Sequence, residues 1–555
     1  MKIVLPICKS ILKMNNLSGK KIKLLLICFI FVACNRATNK DKQIFYYNES
    51  RNITTLDPAF AKNQSIIWAV HQIYNRLVNL DSNLNVAPSV ARSWDVSSDF
   101  LTYTFHLRND VFFQDNDAFK NGKGRRLTAQ DVAFSLNRII DSNTASTGAW
   151  LFNNRIAPHG FVALNDSTFQ LKLIHPFHPI LQILSMEYCD IVPHEAVEKY
   201  GKDFGRHPCG SGAFQLKFWE DGVTMILEKN PHYWETDNRG KPLPYLDAID
   251  ISFNNNKAME FLQFRQGQLS FINDIDPSFK DEVITKAGIL RSEWQGKIVL
   301  QKHSYLNIEY IGILVDQNNP IVKNSPLKIK AVRQAMNYAI DKKQLMMYLR
   351  NSIGMPANAG FAPAGLPSRN TEFVKGYDYN PQLALKRLSD AGFPNGENLP
   401  TIVLSTDADY ADICNFVAKQ ENNIGIKVQV EVVQKSMLLQ QTAQQQCALF
   451  LGSWIADYPD AENFMAVFYG KNPAPPNYTR YHNPTFDKLY EQSLQENNDS
   501  LRYALYRKMD ALMMDDAPVI PIFYDEAIRL VQPAVRGFQT NALNMLELKN
   551  MYFAK

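Results

Sequence analysis

The sequence is short of the features that would mark an enzyme or a nucleic-acid binder. No Cys-x-x-Cys pair occurs among its seven cysteines, so a zinc or dithiol centre has no local frame. There is no P-loop, and His194-Glu195 lacks the second histidine that a zinc-protease helix needs. Cys209-Gly210-Ser211-Gly212 has no glycine two residues before Ser211, which excludes a nucleophile elbow. His175 and His178 sit beside Pro176 and Pro179, and the prolines favour a loop over a helical metal site. An excess of one charge is missing too. Taking the six lysines of residues 1–33 from the 59 basic residues leaves 53 against 55 acidic ones, a formal charge of −2. That is no electrostatic footprint for nucleic acid. After residue 33 no long apolar run appears, so the body of the chain holds no expected membrane span.

What is present begins with an address. Lys20, Lys21 and Lys23 precede an apolar run at 24–32, and Ala33-Cys34 follows. A basic region, a short apolar region and a small residue before the cut are the parts of a secretory signal, and the run falls short of the roughly 20 residues of a bilayer span. A cysteine directly after the small residue resembles the lipobox of bacterial lipoproteins, with Phe31 where leucine is commonest. The expectation is a signal over 1–33, with Met1 or Met14 as its start, then an acylated Cys34 and a polar tether over 34–42. The protein would then be anchored in the cell envelope, on the periplasmic side of a bacterial membrane. Cys189, Cys209, Cys414 and Cys447 remain, and an even number in an oxidising compartment allows two bridges in three connectivities. A Cys189–Cys209 disulfide is one hypothesis.

About 520 mature residues exceed one hydrophobic core and imply at least two lobes. Residues 43–47 read as a first strand, 66–80 carry helical apolar spacing, and 101–108 alternate like a half-buried strand. Thr128 and Asp131 form a capping box ahead of Val132, Leu136, Ile139 and Ile140 on one helical face. Gly210, Gly212 and Gly222 flank a strand at 214–219 and suit tight turns. Val332, Ala335, Met336, Ala339 and Ile340 share a helical face, and Asn380-Pro381 with Gly392 bound a further helix. Strands alternate with helices from 305 to 524, which predicts an α/β lobe. The chain would cross between lobes near 276–305 and again near 521–532, making a hinge.

The stretch 448–460 concentrates the chemistry. It runs from an apolar strand-length segment into Trp454, Asp457, Tyr458 and Pro459. A strand end that presents an indole face and a carboxylate is a ready site for a cationic ligand group. The same residues would equally serve as a core tryptophan and a turn cap.

Motif order decides between these readings. Leu56-Asp57-Pro58, Ile73-Tyr74, Pro88, Ser93-Trp94, Thr102 to Phe105, Leu107-Arg108 and Leu127-Thr128-Ala129 resemble the family 5 extracellular solute-binding proteins. The match continues through Gly210 to Phe214, Trp219, Gly222, Asn230-Pro231, Tyr233-Trp234, Val332 to Ala335, Ala339 to Asp341, Ala391 to Pro394, Trp454 to Tyr458 and Asp516 to Pro518 with Pro521. Each motif is short; their shared order along the mature chain is specific.

The resemblance implies a two-lobed α/β fold of the periplasmic-binding-protein type II class, hinged, with an extra subdomain in the first lobe. It places the first lobe at 43–300 with the insertion at about 85–200, the second lobe at 301–525, and a return to the first lobe at 526–555. It implies no enzyme activity, no cofactor and no metal. The partners implied are a peptide ligand and the permease and ATPase subunits of an ABC importer, with the binding protein acting as a monomer. A nickel chelate, haem or an oligosaccharide is the alternative ligand class. In such relatives the aspartate of a Trp-x-x-Asp turn pairs with the ligand's α-ammonium, and backbone beside the tryptophan pairs with the peptide. The matching ligand-binding residues here are Asp457, Trp454, Ser453, Ile455 and Tyr458. Dipeptide-specific members carry an arginine after an earlier strand of the second lobe. Residues 404–410 hold none, which favours longer peptides.

If Cys34 is the anchor, Cys34→Ser should move the protein from the membrane to the soluble fraction on cell fractionation. Unchanged membrane association would refute the anchor.

Overall fold

The computed structural model describes residues 42–554, so the signal segment and Cys34 lie outside the described residues. Among the described residues no helix is long and apolar enough to cross a membrane. The chain opens with β1 (Ile44–Glu49) and α1 (Gln64–Ile73). Asn63 caps α1, its side chain accepting from Ile66 N at 3.1 Å. The apolar spacing predicts a helix to residue 80, but α1 stops at Ile73. The carbonyl of Ile73 is taken from outside the helix, by Gly212 N at 2.8 Å and Gln114 Nε2 at 3.2 Å. Tyr74 turns extended, and Val78–Leu80 pairs as a short strand with Val86–Pro88. Gly210 and Gly212 are needed for this close approach rather than for a turn. A Cβ on them would lie 2.0 Å from the Ile73 carbonyl oxygen and 2.5 Å from its carbon.

A four-stranded antiparallel sheet follows: β2 (Ala91–Val96), β3 (Thr102–Leu107), β4 (Ile156–Asn165) and β5 (Thr168–Leu173), in the order β2-β3-β5-β4. Between β3 and β4 lies α2 (Ala129–Ile140). Its start is the predicted box, the Asp131 carboxylate accepting from Thr128 N and Oγ1 at 2.9 Å each. Val132, Leu136 and Ile139 are buried, whereas Ile140 at the last turn faces outward. β6 (Phe214–Glu220), β7 (Thr224–Lys229) and β8 (Ala248–Phe253) then join β1 in a second sheet, ordered β1-β8-β7-β6 with β1 and β8 parallel. Gly222, at φ +69, makes the turn between β6 and β7.

The largest sheet has seven strands. In chain order its elements are β9 (Phe271–Asn273), β10 (Val299–Ile313), β11 (Ile402–Thr406), β12 (Val428–Val432), β13 (Leu449–Ile455) and β14 (Val519–Val531). The order is β9-β14-β10-β13-β11-β12, with Met355–Pro356 pairing to β14. β11 is parallel to both of its neighbours. Helices Lys330–Ala339, Lys342–Arg350, Pro381–Asp390 and Ala411–Asn423 alternate with these strands. Asn380 caps the third and Gly392, at φ +88, ends it, the proline-first and glycine-last pattern.

β10 and β14 are the spine, 15 and 13 residues long and paired antiparallel from Val299↔Val531 to Gly312↔Val519. Their register shifts twice, at a wider break between Ser304 and Ile308 and again between Glu309 and Tyr310. β9, expected within the first lobe, hydrogen-bonds to β14 at the outer end of this pair. Alternation decides its packing: Phe271 joins the first core with Phe45, Tyr47 and Trp68, and Ile272 a small cluster with Phe261, Phe264 and Leu530. Side chains buried this fully contribute about 1.5–3 kcal/mol each.

The C-terminal segment docks on α1. Trp68 Nε1 donates to Asn544 O at 3.0 Å and Gln72 Nε2 to Leu546 O at 2.7 Å, while Leu546, Leu548 and Met551 are buried in the first core. A buried charge network backs this joint. His71 lies 3.0 Å from Glu187 and 3.3 Å from Glu547, Arg76 contacts Glu187 at 2.5 Å and Asp190 at 2.8 Å, and Lys549 reaches Glu235 at 2.7 Å. Burial alone would push the His71 pKa down, but the hydrogen bonds its ring donates to Glu187 and Glu547 outweigh it and raise it to about 9.

The Cys189–Cys209 bridge does not form. Cys189, Cys209, Cys414 and Cys447 are all free and buried. Cys189 Sγ faces Ile183 O at 3.4 Å and Cys209 Sγ faces Gln114 O at 3.6 Å, so each thiol is used locally in a different part of the first core. Sequence proximity across 189–209 says nothing about Cβ geometry, which is what a bridge requires.

Two outcomes follow. Burial raises the pKa of all four thiols, so the native protein should resist alkylation. After denaturation without reductant, peptide mapping should find all four alkylated; a Cys189–Cys209 linked peptide would contradict the structure. His71 has a folded pKa above its unfolded value near 6.5, so its stabilising contribution is complete below about pH 6.5 and lost as pH rises through about 9. His71→Gln should therefore cost on the order of 3 kcal/mol at pH 6 and progressively less towards pH 10 in parallel denaturant titrations. A penalty independent of pH would show that the imidazole is neutral in the fold.

Candidate functional site

A cavity of about 800 Å³ lies where the first sheet's helix, the second lobe's strand ends and the C-terminal segment meet. Trp68 and His71 reach it from α1, Trp150, Met186 and Tyr188 from the β2–β5 subdomain, and Tyr305 and Leu306 from the register break of β10. Ile455, Asp457 and Pro459 come from the end of β13, and Leu543, Met545 and Glu547 from the C-terminal segment. Its volume, with aromatic side chains set among many polar and charged ones, suits a polar organic ligand.

β13 is organised by its two edges. On one it pairs with β10, from Ile313↔Leu449 to Asn307↔Ile455. On the other β11 pairs only at Leu404↔Leu449 and Ser405↔Phe450. From Leu451 onward that second edge therefore carries no strand among the described residues. Leu314 N donates to Ala448 O and Ala456 N to Leu306 O, so the even-numbered residues bond to β10. The peptide groups of Ser453 and Ile455 consequently face the open edge.

Side-chain parity distributes the expected site residues. Ser453 and Ile455 share a sheet face, where Ser453 Oγ bonds to Glu309 at 2.9 Å and to Asn307 at 3.2 Å. Glu309 also accepts from Asn307 and from Tyr410 OH, both at 3.1 Å. Trp454 faces the other way, packs against the core of Tyr310, Phe361 and Phe464, and is not among the residues that line the cavity. Its Nε1 donates to Asn463 Oδ1 at 3.1 Å. Tyr458 is buried in the first core and its hydroxyl donates to Glu462, which also accepts from Tyr490 OH. Of the five residues, Ile455 and Asp457 line the cavity, Ser453 offers its backbone, and Trp454 and Tyr458 brace the turn.

Asp457 is open to the cavity and held by one side chain. Asn463 accepts from its backbone N at 3.3 Å and donates Nδ2 to its Oδ2 at 3.2 Å. Asp457 is itself exposed to the cavity, yet desolvation by the surrounding walls raises the carboxyl pKa, and the Asn463 bond pulls it partly back. Among the described residues no cation pairs with Asp457, whereas His71, Arg76 and Lys549 on the opposite wall all face carboxylates. Asn463, Tyr188 and Trp68 were not legible as site residues. They lie on other elements, and only Asn463, nine residues past Trp454, had any local signal.

A second cavity of about 260 Å³ adjoins Gln64 and Tyr305 and contains Lys280, Arg350 and Asp525, the last two 3.4 Å apart. Among the described residues Asp131, His194 and Glu195 form the one cluster with metal-ligand spacing. The Arg125 guanidinium already bridges its two carboxylates at 2.7 and 2.6 Å, so the cluster is a salt bridge whose cation belongs to the chain.

Comparison with known proteins agrees with this architecture. Residues 85–476 match the family described as bacterial extracellular solute-binding proteins, family 5. The periplasmic oligopeptide-binding protein OppA of Salmonella typhimurium is 26% identical over 574 residues, covering 98% of this chain and 100% of that protein. Heme-binding protein A of Haemophilus influenzae is 24% identical over 526 residues, covering 91% of each. Among solved structures, HbpA2 from Haemophilus parasuis superposes with a TM-score of 0.81 at 22% identity, over 92% of this chain and 100% of that one. The chain has the two-lobed α/β fold of type II periplasmic binding proteins and belongs to the family 5 extracellular solute-binding proteins, the substrate-binding components of ABC transporters.

Proposed function

We propose that this protein captures peptides for an ABC importer, held at the membrane by an acylated Cys34, and passes them to the permease and its ATPases. The observation that carries the reading is Asp457, a carboxylate with no cation partner among the described residues, open to the cavity beside the bare edge of β13. An extended peptide can add to that edge through the backbone of Ser453 and Ile455, as a further strand. Its α-ammonium then pairs with Asp457, and the aromatic walls of Trp68, Trp150 and Tyr188 cover its side chains. Residues 404–410 supply Asp407, Asp409 and Tyr410 rather than an arginine for a nearby carboxylate, which favours peptides longer than two residues. The lobes close because the ligand binds both walls at once and so has higher affinity for the closed state. The register break in the β10–β14 pair is the place where the spine can bend.

A relative named for haem keeps a non-peptide ligand as the second reading. Against it stands His71, the histidine of the lining, whose two ring nitrogens are both engaged by glutamates. It therefore has no free nitrogen for an iron or nickel centre.

Peptides retained from a mixture, identified by mass spectrometry, supply the test ligand. In a closed cleft, removing Asp457 leaves a ligand ammonium unpaired at a cost on the order of 3–5 kcal/mol. Asp457→Asn should then weaken binding roughly a hundredfold or more, with the fold intact, and N-acetylation of the peptide should do the same to the native protein. Calorimetry of both peptides on both proteins is the measurement. Four equal affinities would overturn the anchor, and turnover of the peptide would overturn the binding role.

A further inference from the structure

One amide holds both ends of the Trp-x-x-Asp turn. Asn463 is 5% exposed, at the start of the short helix Glu462–Met465, and its Oδ1 accepts from two donors, Trp454 Nε1 at 3.1 Å and Asp457 N at 3.3 Å. Its Nδ2 donates to Asp457 Oδ2 at 3.2 Å. These contacts fix the amide orientation, because the flipped amide would set its NH₂ against two N–H donors and its oxygen against a carboxylate. We propose that Asn463 is the positioning residue of the ligand anchor: it ties the carboxylate of Asp457 to the core-packed indole of Trp454, so that the charge is held in one place before a ligand arrives. The proposal rests on the reading of Asp457 as that anchor.

The surroundings make the role necessary. Asp457 protrudes into the cleft, and among the described residues no cation forms an ion pair with it to orient it. Asp460 and Glu462, next along the turn, are turned away: Asp460 accepts from Glu462 N at 2.9 Å and faces Arg502 at 3.4 Å, and Glu462 is used by Tyr458 and Tyr490. Tyr188 faces Asp457 from the first lobe and adds no positive charge. The donated N–H of Asn463 is thus the hydrogen bond that favours the charged carboxylate against burial. It also explains the three-residue spacing. Trp454 leaves the strand on the core side and Asp457 leaves the turn on the cleft side, and a single side chain spans the two. Trp454 then contributes by fixing Asn463 rather than by stacking on the ligand.

The test needs no ligand. The full chain is prepared with ¹³C in its aspartate carboxyls, and the Asp457 resonance is identified with Asp457→Asn. Asn463→Asp keeps an oxygen facing both N–H donors and removes the N–H; Asn463→Ala removes both functions. The carboxyl midpoint of Asp457 should rise by about one pH unit in both variants, a tenfold change in proton affinity. An unmoved midpoint in both overturns the proposal. So does a rise confined to Asn463→Ala, which assigns the effect to packing, or to Asn463→Asp, which assigns it to the new charge. Dialysis of native protein against a free-amine tripeptide mixture runs alongside. If the native protein retains none, the peptide reading fails, while the carboxyl titration still decides the role of Asn463.

Discussion

The structure depends on the antiparallel pairing of β10 with β14. These two strands are more than twice the usual length, and every other strand of the large sheet is ordered outward from them. Their inner halves are buried among the cores of the second lobe, through Ile308, Tyr310, Ile311, Ile520 and Phe523. Their outer halves carry β9 and reach the first core through Val531. A ladder of backbone hydrogen bonds is stiff along its length, so compliance concentrates where the register slips, between Ser304 and Ile308. Tyr305 and Leu306, which sit at that slip, line the cavity of about 800 Å³. The spine therefore joins the lobes and shapes the site with the same residues.

Electrostatics divides the cavity walls. On the first-lobe side the buried cations His71, Arg76 and Lys549 are each consumed by glutamates or an aspartate at 2.5–3.3 Å, and the network locks the C-terminal segment onto α1, while Lys62 lies exposed at the same wall. Buried pairs of this kind hold a joint in register and leave little field for a ligand. On the second-lobe side Asp457 has an amide for company and, among the described residues, no ion-pair partner. A carboxylate whose pKa is raised by burial gains the most from a ligand cation, because pairing relieves the desolvation that burial imposed.

Much of the fold was legible, for reasons that can be named. Strand alternation at Thr102–Leu107, the capping box at Thr128 and the Asn380-Pro381 start are local signals, and local hydrogen bonding obeys them. The misreadings came from distant residues. Helical spacing over 66–80 is real, yet Gly212 and Gln114, more than 40 residues away, occupy the Ile73 carbonyl and end the helix. Cys189 and Cys209 are both in the first core but bond to different carbonyls, a matter of Cβ direction that spacing does not encode.

The site divides in the same way. By itself the sequence determined that residues 449–455 form a strand, that a turn with Asp457 follows it, and that the chain shares its motif order with a family of binding proteins. A run of apolar residues closed by a proline carries that information locally. Only the tertiary structure decided which way each side chain of that strand points. β13 takes its parity from the register with β10, a contact between residues nearly 150 positions apart, and a shift of one residue would exchange Trp454 with Ser453 and Ile455. That register sends the indole to the core and the backbone of Ser453 and Ile455 to the open edge. The short pairing with β11 is what leaves the edge bare, and the helix that follows supplies Asn463 to hold Asp457. Motif spacing names the residues of such a site; long-range strand pairing assigns their roles, because facing is a property of the sheet and not of the strand.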